Sequence, residues 1–297
     1  MSIRLEMLQV ARLAPKVLGE SAELVRRFLL SQQNEDGGFK DRAGRSDLYY
    51  TVFGLEGLLA LQSELPTERV ERYLRSFTED SRLDFVHLCC LARVWAALSS
   101  QATPRIPAIE RSRLLARIET FRAKDGGYHP VAKSDSGTVY AGFLALGAYQ
   151  DLRATMPQPL ELVRSLKRCE TADGAWANER GLKEGSTNST AAAVTLLRQL
   201  QMPFNPQVGD WLLARVDAQG GFRAATGAPL PDLLSTATSL HALAGLERDF
   251  RPIKESCLDF VDSLWTNEGG FYGHWGEETL DCEYTYYGLL ALGHLGF

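Results

Sequence analysis

Six apolar segments of this sequence can be aligned with one another, in most cases on a threonine. In four of them an Asp stands four residues before the aligned position. Asp at such a place commonly caps a helix, because its side chain accepts hydrogen bonds from the first N–H groups. Two copies carry an additional group, Glu283 beside Asp281 and His87 after Asp84, which could transfer protons or bind a ligand. The six positions are Asp47, Asp84, Ser134, Ser186, Asp232 and Asp281. We therefore predict helix caps at the four Asp positions and candidate reactive groups beside two of them.

These positions belong to a long internal repeat. Turns written NEDGGF, AKDGGY, TADGAW, DAQGGF and TNEGGF place their first glycines 89, 48, 46 and 49 residues apart, and 89 is two periods with one glycine-free copy between. An amphipathic segment precedes each turn and a nearly all-apolar segment follows it, which indicates an outer and a buried inner helix. We expect each first glycine to end the preceding helix with a positive φ.

Six helix pairs predict an all-α fold, an α6/α6 toroid (barrel) formed by the whole chain as a single domain, residues 1–297. Closure into a ring is favoured because the last copy, YTYYGLLALGHLGF, is as apolar as the interior ones. The segment from Ser2 to Leu18 has spare apolar residues that could cover one barrel face. The repeats are expected at 18–62, 66–99, 107–150, 158–201, 204–247 and 252–297.

Composition excludes several classes of protein. The chain has a formal charge of −5 with scattered basic residues, which argues against a nucleic-acid partner. Five cysteines without CxxC spacing suggest neither a disulfide framework nor a zinc knuckle, and reduced thiols fit a cytoplasmic location. No apolar stretch is long enough to predict a membrane span.

The glycine turns and the T-x-(F/Y)-G inner segments that follow them resemble the β subunits of protein prenyltransferases, above all that of Rab geranylgeranyltransferase, and the related terpenoid cyclases. The resemblance covers all six repeats and implies a divergent member of this superfamily. It further implies a central cavity that holds an isoprenoid diphosphate, with the reactive end at one rim. In this family an Asp, a Cys and a His hold zinc, which activates a thiol acceptor.

The implied zinc site is degenerate in this sequence. Asp232 occupies the Asp position, but Leu234 replaces the Cys and Tyr284 replaces the His. Arg223 is the one cation left of the implied diphosphate clamp. Because leucine cannot bind zinc, zinc is doubtful as a cofactor and we expect less than one zinc ion per chain.

The segment DCEYT, Asp281 to Thr285, loosely resembles the DxDDT acid motif of class II terpenoid cyclases, with Glu283 in the place of the protonating residue. The candidate catalytic residues are Asp232, Asp281, Glu283 and Tyr284. Aromatic and polar residues near the rim are candidates for binding the isoprenoid or its diphosphate, although core packing is their plain interpretation. They are Tyr50, Phe53, His87, Tyr140, Arg223, Tyr286 and Tyr287.

Three functions follow from these residues. The favoured hypothesis is a prenyltransferase-like protein that binds an isoprenoid diphosphate and transfers its prenyl group without zinc to a protein or small-molecule acceptor. The alternatives are a non-catalytic isoprenoid or lipid binder, and a class II cyclase-like enzyme that uses Glu283. The β subunits of protein prenyltransferases work beside an α subunit. Outer segments such as 67–77 and 107–124 of this chain carry frequent Arg and Glu, so we expect it to stay soluble without such a subunit.

Overall fold

Six inner helices pack side by side into a closed ring. The computed structural model describes residues 1–77, 82–99 and 105–296. The helices are α1 (Ile3–Ala11), α2 (Ala14–Leu18), α3 (Ala22–Ser31), α4 (Leu48–Ala60), α5 (Thr67–Arg75), α6 (Phe85–Leu98), α7 (Ala108–Glu119), α8 (Val139–Asp151), α9 (Pro159–Lys167), α10 (Thr187–Gln199), α11 (Val208–Leu213), α12 (Leu233–Gly245), α13 (Lys254–Ser263) and α14 (Cys282–Leu295). The even-numbered helices from α4 to α14 each contact the next, and α14 contacts α4. The predicted all-α toroid is confirmed.

Among the described residues, short hairpins and turns connect outer helices to the inner helices that follow them. Strand β1 (Phe39–Lys40) pairs antiparallel with β2 (Ser46–Asp47), and β3 (Phe222–Arg223) pairs with β4 (Pro231–Asp232). The outer helices α3, α5, α7, α9, α11 and α13 pack outside the ring. No helix among the described residues has both the length and the apolar character that crossing a bilayer requires.

A side-chain cap begins every inner helix, so all six start at the same rim. The four predicted Asp caps are confirmed: Asp47, Asp84, Asp232 and Asp281. Ser186 caps α10 in the same way, but Ser134 caps no helix, because Thr138 caps α8 by accepting from the Ala141 N–H. The cap of the third repeat follows its first glycine by twelve residues, as in the fourth, fifth and sixth repeats, so the alignment on Thr138 was four residues out of register.

The glycine turns hold neighbouring repeats together. The first glycines have the expected positive φ, for example 86° at Gly220. They do not end the preceding helix, however: α3 ends at Ser31 with Gln32 as its C-cap, and Gly37 lies in the turn beyond it, where its N–H donates to the Asn34 carbonyl. A Cβ on Gly220 would lie 1.9 Å from the Ser256 carbonyl oxygen of the next outer helix. Four of the five first glycines pack on a neighbouring repeat in this way, and Gly174 is the exception.

Helix α1 closes the barrel at the end opposite the capped rim. Arg4 forms a buried ion pair with Glu56 near the end of α4. The Ile3 N–H donates to Gln150 Oε1 at 2.9 Å, and Glu6 pairs with Arg198. These partners all lie late in inner helices, so the N-terminal segment covers one barrel face, and the cavity inside has a floor.

Replacing Gly220 by Ala tests the packing role of the turns. Gly174 has a similar φ of 82° but open space around it, which makes Gly174→Ala the matched control. We expect Gly174→Ala to cost about 1–2 kcal/mol from backbone strain alone. Gly220→Ala should cost at least about 2 kcal/mol more, because its Cβ meets a backbone oxygen. Urea unfolding measures both, and equal losses would contradict the packing role.

Candidate functional site

Three positions of every inner helix face the inside of the barrel: the second, sixth and ninth residues after the cap. They are spaced i, i+4 and i+7, which puts them on one helical face. The rim layer is Tyr49, Val86, Tyr140, Asn188, Leu234 and Glu283. The middle layer is Phe53, Cys90, Leu144, Ala192, Thr238 and Tyr287. The floor layer is Glu56, Arg93, Gly147, Thr195, His241 and Leu290.

A cavity of about 340 Å³ lies within these layers, in the size range of small-molecule sites. Its wall is mostly apolar and aromatic, with a few amides and hydroxyls. The lining residues are Met7, Tyr49, Tyr140, Phe143, Asn178, Asn188, Ser189, Ala191, Ala192, Thr195, Leu234, Thr238, His241 and Tyr287. Small residues of α10 and α12, among them Ala191, Ala192 and Thr238, form part of the wall.

Glu283 is the one acid of the rim layer. Its Oε1 accepts a hydrogen bond of 2.5 Å from the hydroxyl of Tyr49, which lines the cavity. Burial raises the pKa of Glu283 to about 7, against the lowering effect of the Tyr49 hydrogen bond, and nearby Asp281 raises it further. Near neutral pH this carboxyl is therefore protonated in a large fraction of molecules and can donate a proton.

The other acid of the DCEYT segment has a structural partner. Asp281 accepts from the Tyr284 N–H as the cap of α14, and its Oδ2 pairs with Arg42 Nε at 3.0 Å. Arg42 also pairs with Glu277 at 3.1 Å and lies 5.3 Å from the centre of the Tyr284 ring. Burial raises the pKa of Tyr50 to about 12, partly offset by this guanidinium. Arg42 thus joins the first repeat to the sixth across the point of ring closure.

His87 lies between two caps on the first and second repeats. Its Nε2 is 3.0 Å from Asp47 Oδ2 and its Nδ1 is 2.8 Å from Asp84 Oδ1. The hydrogen bond to Asp47 raises the pKa of His87 to about 9, and Asp84 raises it further against the effect of burial. Both ring nitrogens are therefore engaged by carboxylates in an imidazolium bridge, which stabilises the rim.

Asp232 and Arg223, which the resemblance implies for a transferase site, both make structural contacts. Both Asp232 oxygens accept hydrogen bonds from Ser235, each at 2.7 Å. The guanidinium of Arg223 pairs with Asp217 of its own turn, and Arg223 is not among the residues lining the cavity. Among the described residues, no group of three or more His, Cys, Asp or Glu side chains is placed to hold a metal ion.

The aromatic candidates divide between the cavity wall and the packing behind it. Tyr140 and Tyr287 line the cavity. Phe53 and Tyr286 are not among the lining residues, and the Phe53 ring centre is 5.4 Å from that of Tyr287 and 5.8 Å from that of Tyr286. Phe53 shares the inward position of Tyr287 in the repeat, so this position alone does not decide which aromatic ring lines the cavity.

Most lining residues were not predicted from the sequence, because the repeats were compared only at the caps and at the residues three positions after them. The second position after the cap contains Tyr49, Asn188, Leu234 and Glu283, which all lie at or beside the cavity. Once the caps are aligned, this position is readable from sequence. Asn178 carries no such signal, because it reaches the cavity from a loop while its Oδ1 accepts from the Tyr140 N–H.

The profile of the family described as the prenyltransferase alpha-alpha toroid domain matches residues 7–82, 80–223 and 190–295. The chain belongs to this toroid family. A search of curated protein sequences found no match.

Solved structures share the toroid at low sequence identity. A variant of the type II terpene cyclase MstE from Scytonema, in complex with geranylgeranyl dihydroxybenzoate, is 13% identical over 95% of this chain and 97% of its own, with a TM-score of 0.63. A protein from Actinoplanes is 16% identical over 94% and 99%, with a TM-score of 0.64. Candida albicans protein geranylgeranyltransferase-I, complexed with GGPP, is 16% identical over 98% and 82%, with a TM-score of 0.53. At such identities the likeness establishes the fold alone.

Replacing Glu283 by Gln should stabilise this toroid at high pH. Since the pKa of Glu283 is raised to about 7, the folded state binds the proton more tightly than the unfolded state, so stability falls as pH rises from about 4 to 7. Glu283→Gln cannot ionise, and it should exceed the wild type in unfolding free energy by roughly 1–3 kcal/mol at pH 8 and by little at pH 5.

Chemical unfolding at the two pH values measures this difference, with the exposed Glu184→Gln as control. A gain of the same size at both pH values would show that Glu283 is not buried with a raised pKa.

Proposed function

We propose that this protein is a terpenoid-cyclase-like enzyme that binds an isoprenoid in its central cavity and protonates it with Glu283. The observation that carries the proposal is the buried Glu283 carboxyl, with its raised pKa, beside the cavity-lining Tyr49 hydroxyl. A protonated carboxyl at the edge of an apolar, aromatic chamber is suited to donate a proton to an alkene.

The residues of the cavity wall favour a substrate whose reacting group is uncharged over a substrate that reacts at a diphosphate. No Arg or Lys is among the residues lining it. Transfer from a diphosphate needs fixed cations at the leaving group, since negative charge develops there. Arg223 is paired with Asp217, and Arg42 with Asp281 and Glu277. These pairs argue against the prenyl transfer that the sequence resemblance favours.

The proton transfer conserves atoms and charge. The Glu283 O–H bond breaks as one alkene carbon takes the proton and forms a C–H bond, leaving a carboxylate and a carbocation. A second double bond of the same chain attacks the cation and closes a ring. Loss of a proton from a carbon to the Glu283 carboxylate restores the acid, so the product is an isomer of the substrate. Tyr49 stays hydrogen-bonded to the carboxylate in between.

Aromatic side chains are placed to stabilise the cation. Tyr49, Tyr140 and Phe143 line the cavity together with Tyr287, and aromatic faces attract positive charge. Burial raises the pKa of the Tyr140 and Tyr287 hydroxyls well above their ordinary range, so both rings stay neutral and are poor at trapping a cation as phenolates. The few hydroxyl and amide groups leave limited places for water near the ring carbons.

The non-catalytic isoprenoid binder is the second candidate, and the same apolar cavity supports it. Unlike the cyclase, such a binder needs no acidic side chain that donates a proton to the ligand. The two complexes named above contain an isoprenoid attached to an aromatic acid and an isoprenoid diphosphate. Isoprenoids with either type of head, and free isoprenoid alcohols, are therefore the probes to test.

The test is turnover of these probes in deuterated water, followed by mass spectrometry. We expect a cyclic product that carries one deuterium from Glu283. Glu283→Gln should lower the rate by at least about 100-fold, the usual contribution of a general acid, with binding retained. The wild-type rate should fall as pH rises above 7, because the acid form of a group with a pKa of about 7 is lost there.

Asp232→Asn is the matched control, since Asn also caps helices well and the chain keeps its fold. It should retain the wild-type rate. Binding without deuterium incorporation would favour the non-catalytic binder. Release of inorganic diphosphate, abolished by Asp232→Asn and unaffected by Glu283→Gln, would overturn the cyclase proposal in favour of transfer.

A further inference from the structure

The floor of the cavity is polar, although its wall is mostly apolar. Thr195 and His241 line the cavity at the ninth residue after their caps, and Met7 of α1 lines it as well. On the other side of the barrel, the floor positions are occupied by Glu56, paired with Arg4, and by Arg93, paired with Asp151 at 3.2 Å. A chamber for hydrocarbon alone would gain nothing from polar groups at this depth, because burying them costs free energy unless they are paired.

His241 has an unsatisfied nitrogen at this floor. Its side chain is 5% exposed, and its Nε2 is buried with no hydrogen-bond partner among the described residues. Glu6 Oε1 is 3.9 Å from this nitrogen, beyond hydrogen-bond distance. Its Nδ1 lies 3.2 Å from His294 Nε2. Buried polar atoms of proteins are nearly always paired, so this nitrogen lacks a partner that a ligand could supply.

The surroundings decide which nitrogen of His241 carries the proton. Burial lowers the pKa of His241 to about 4 and that of His294 to about 3, so both rings are neutral. A lone pair on His241 Nε2 would face the Glu6 carboxylate, whereas an N–H there is attracted to it. We therefore assign the hydrogen of His241 to Nε2, and His294 Nε2–H then donates to His241 Nδ1.

We propose that the isoprenoid ligand carries an uncharged oxygen, a hydroxyl or a carbonyl, at the end that reaches the floor, where it accepts a hydrogen bond from His241 Nε2. This inference rests on the proposed binding of an isoprenoid in the cavity. Because Nε2 itself is buried, a ligand oxygen reaches it only when a neighbouring side chain moves. An anionic head is disfavoured there, because the Glu6 carboxylate is close and Arg198 is already paired with it.

The inference also orients the ligand. Glu283 belongs to the rim layer and His241 to the floor layer, seven residues later in the repeat, which is about 10 Å along a helix axis. The oxygen-bearing end then lies at the floor and an alkene lies at the rim beside the acid. Protonation would begin at the end of the chain remote from the oxygen.

Binding of matched ligands to the full chain tests the inference. The probes are geraniol, farnesol and, for each, the hydrocarbon with a methyl group in place of the hydroxymethyl group. We expect the wild type to bind each alcohol about tenfold more tightly than its hydrocarbon, because only the alcohol satisfies the buried N–H. His241→Phe should lose this preference while it keeps the affinity for the hydrocarbon. His241→Gln, which retains an N–H donor, should restore part of it.

Nitrogen NMR of histidine-labelled wild-type protein gives a second readout. It needs no variant, so it stands even where a substitution prevents folding. The alcohols should shift the Nε2–H resonance of His241, and the hydrocarbons should leave it in place. Equal affinity for alcohol and hydrocarbon in the wild type, with no such shift, would overturn the polar floor while isoprenoid binding itself stands. Failure of every probe to bind would instead refute the proposed function.

Discussion

The side-chain cap at the start of each inner helix is the interaction on which the interior of this barrel depends. A cap fixes the first residue of a helix, and helical geometry then fixes which later residues face inward. Because all six caps lie on one rim, the second, sixth and ninth residues of all six helices meet as three layers. Nine of the fourteen lining residues occupy these positions, and a shift of one cap by one residue would rotate its whole helix face by about 100°.

The same rim carries several charged groups that link neighbouring repeats of the ring. His87 joins two neighbouring repeats through their caps, and Arg42 joins the last repeat to the first through Asp281. Carboxylates held in such pairs are poor proton donors, since a nearby cation favours their ionised form. Glu283 differs because a tyrosine hydroxyl, a neutral group, is its hydrogen-bond partner. Burial also raises the pKa of Asp232 and of Asp281, but hydrogen bonds and, at Asp281, the charge of Arg42 act against it. Burial raises the pKa of Glu283 to about 7, so this acid is partly protonated near neutral pH.

The repeat period and the apolar inner helices suffice to predict the toroid, because both are properties of the chain read locally. The candidate site was harder to predict. Glu283, Tyr140 and Tyr287 were identified, but Tyr49, Asn178 and His241 were not, since a residue's depth in the barrel depends on the position of its cap. The third repeat shows the difficulty: a threonine that caps α8 was aligned with one that lies a turn inside the other helices. Pairings between distant loops, such as Arg42 with Asp281, leave no local pattern at all.

Helix α1 has a consequence for how this chain reaches its native state. This helix packs against α4, α8 and α14, and its most extensive contact is with α14. Helix α1 is synthesised long before α14 and finds its place only when α14 has folded, so the floor is built from contacts of very high sequence separation. Such contacts form late, because loop closure must precede them. During synthesis the apolar side of α1 has no native partner, and this is the stage at which the chain most needs protection from aggregation.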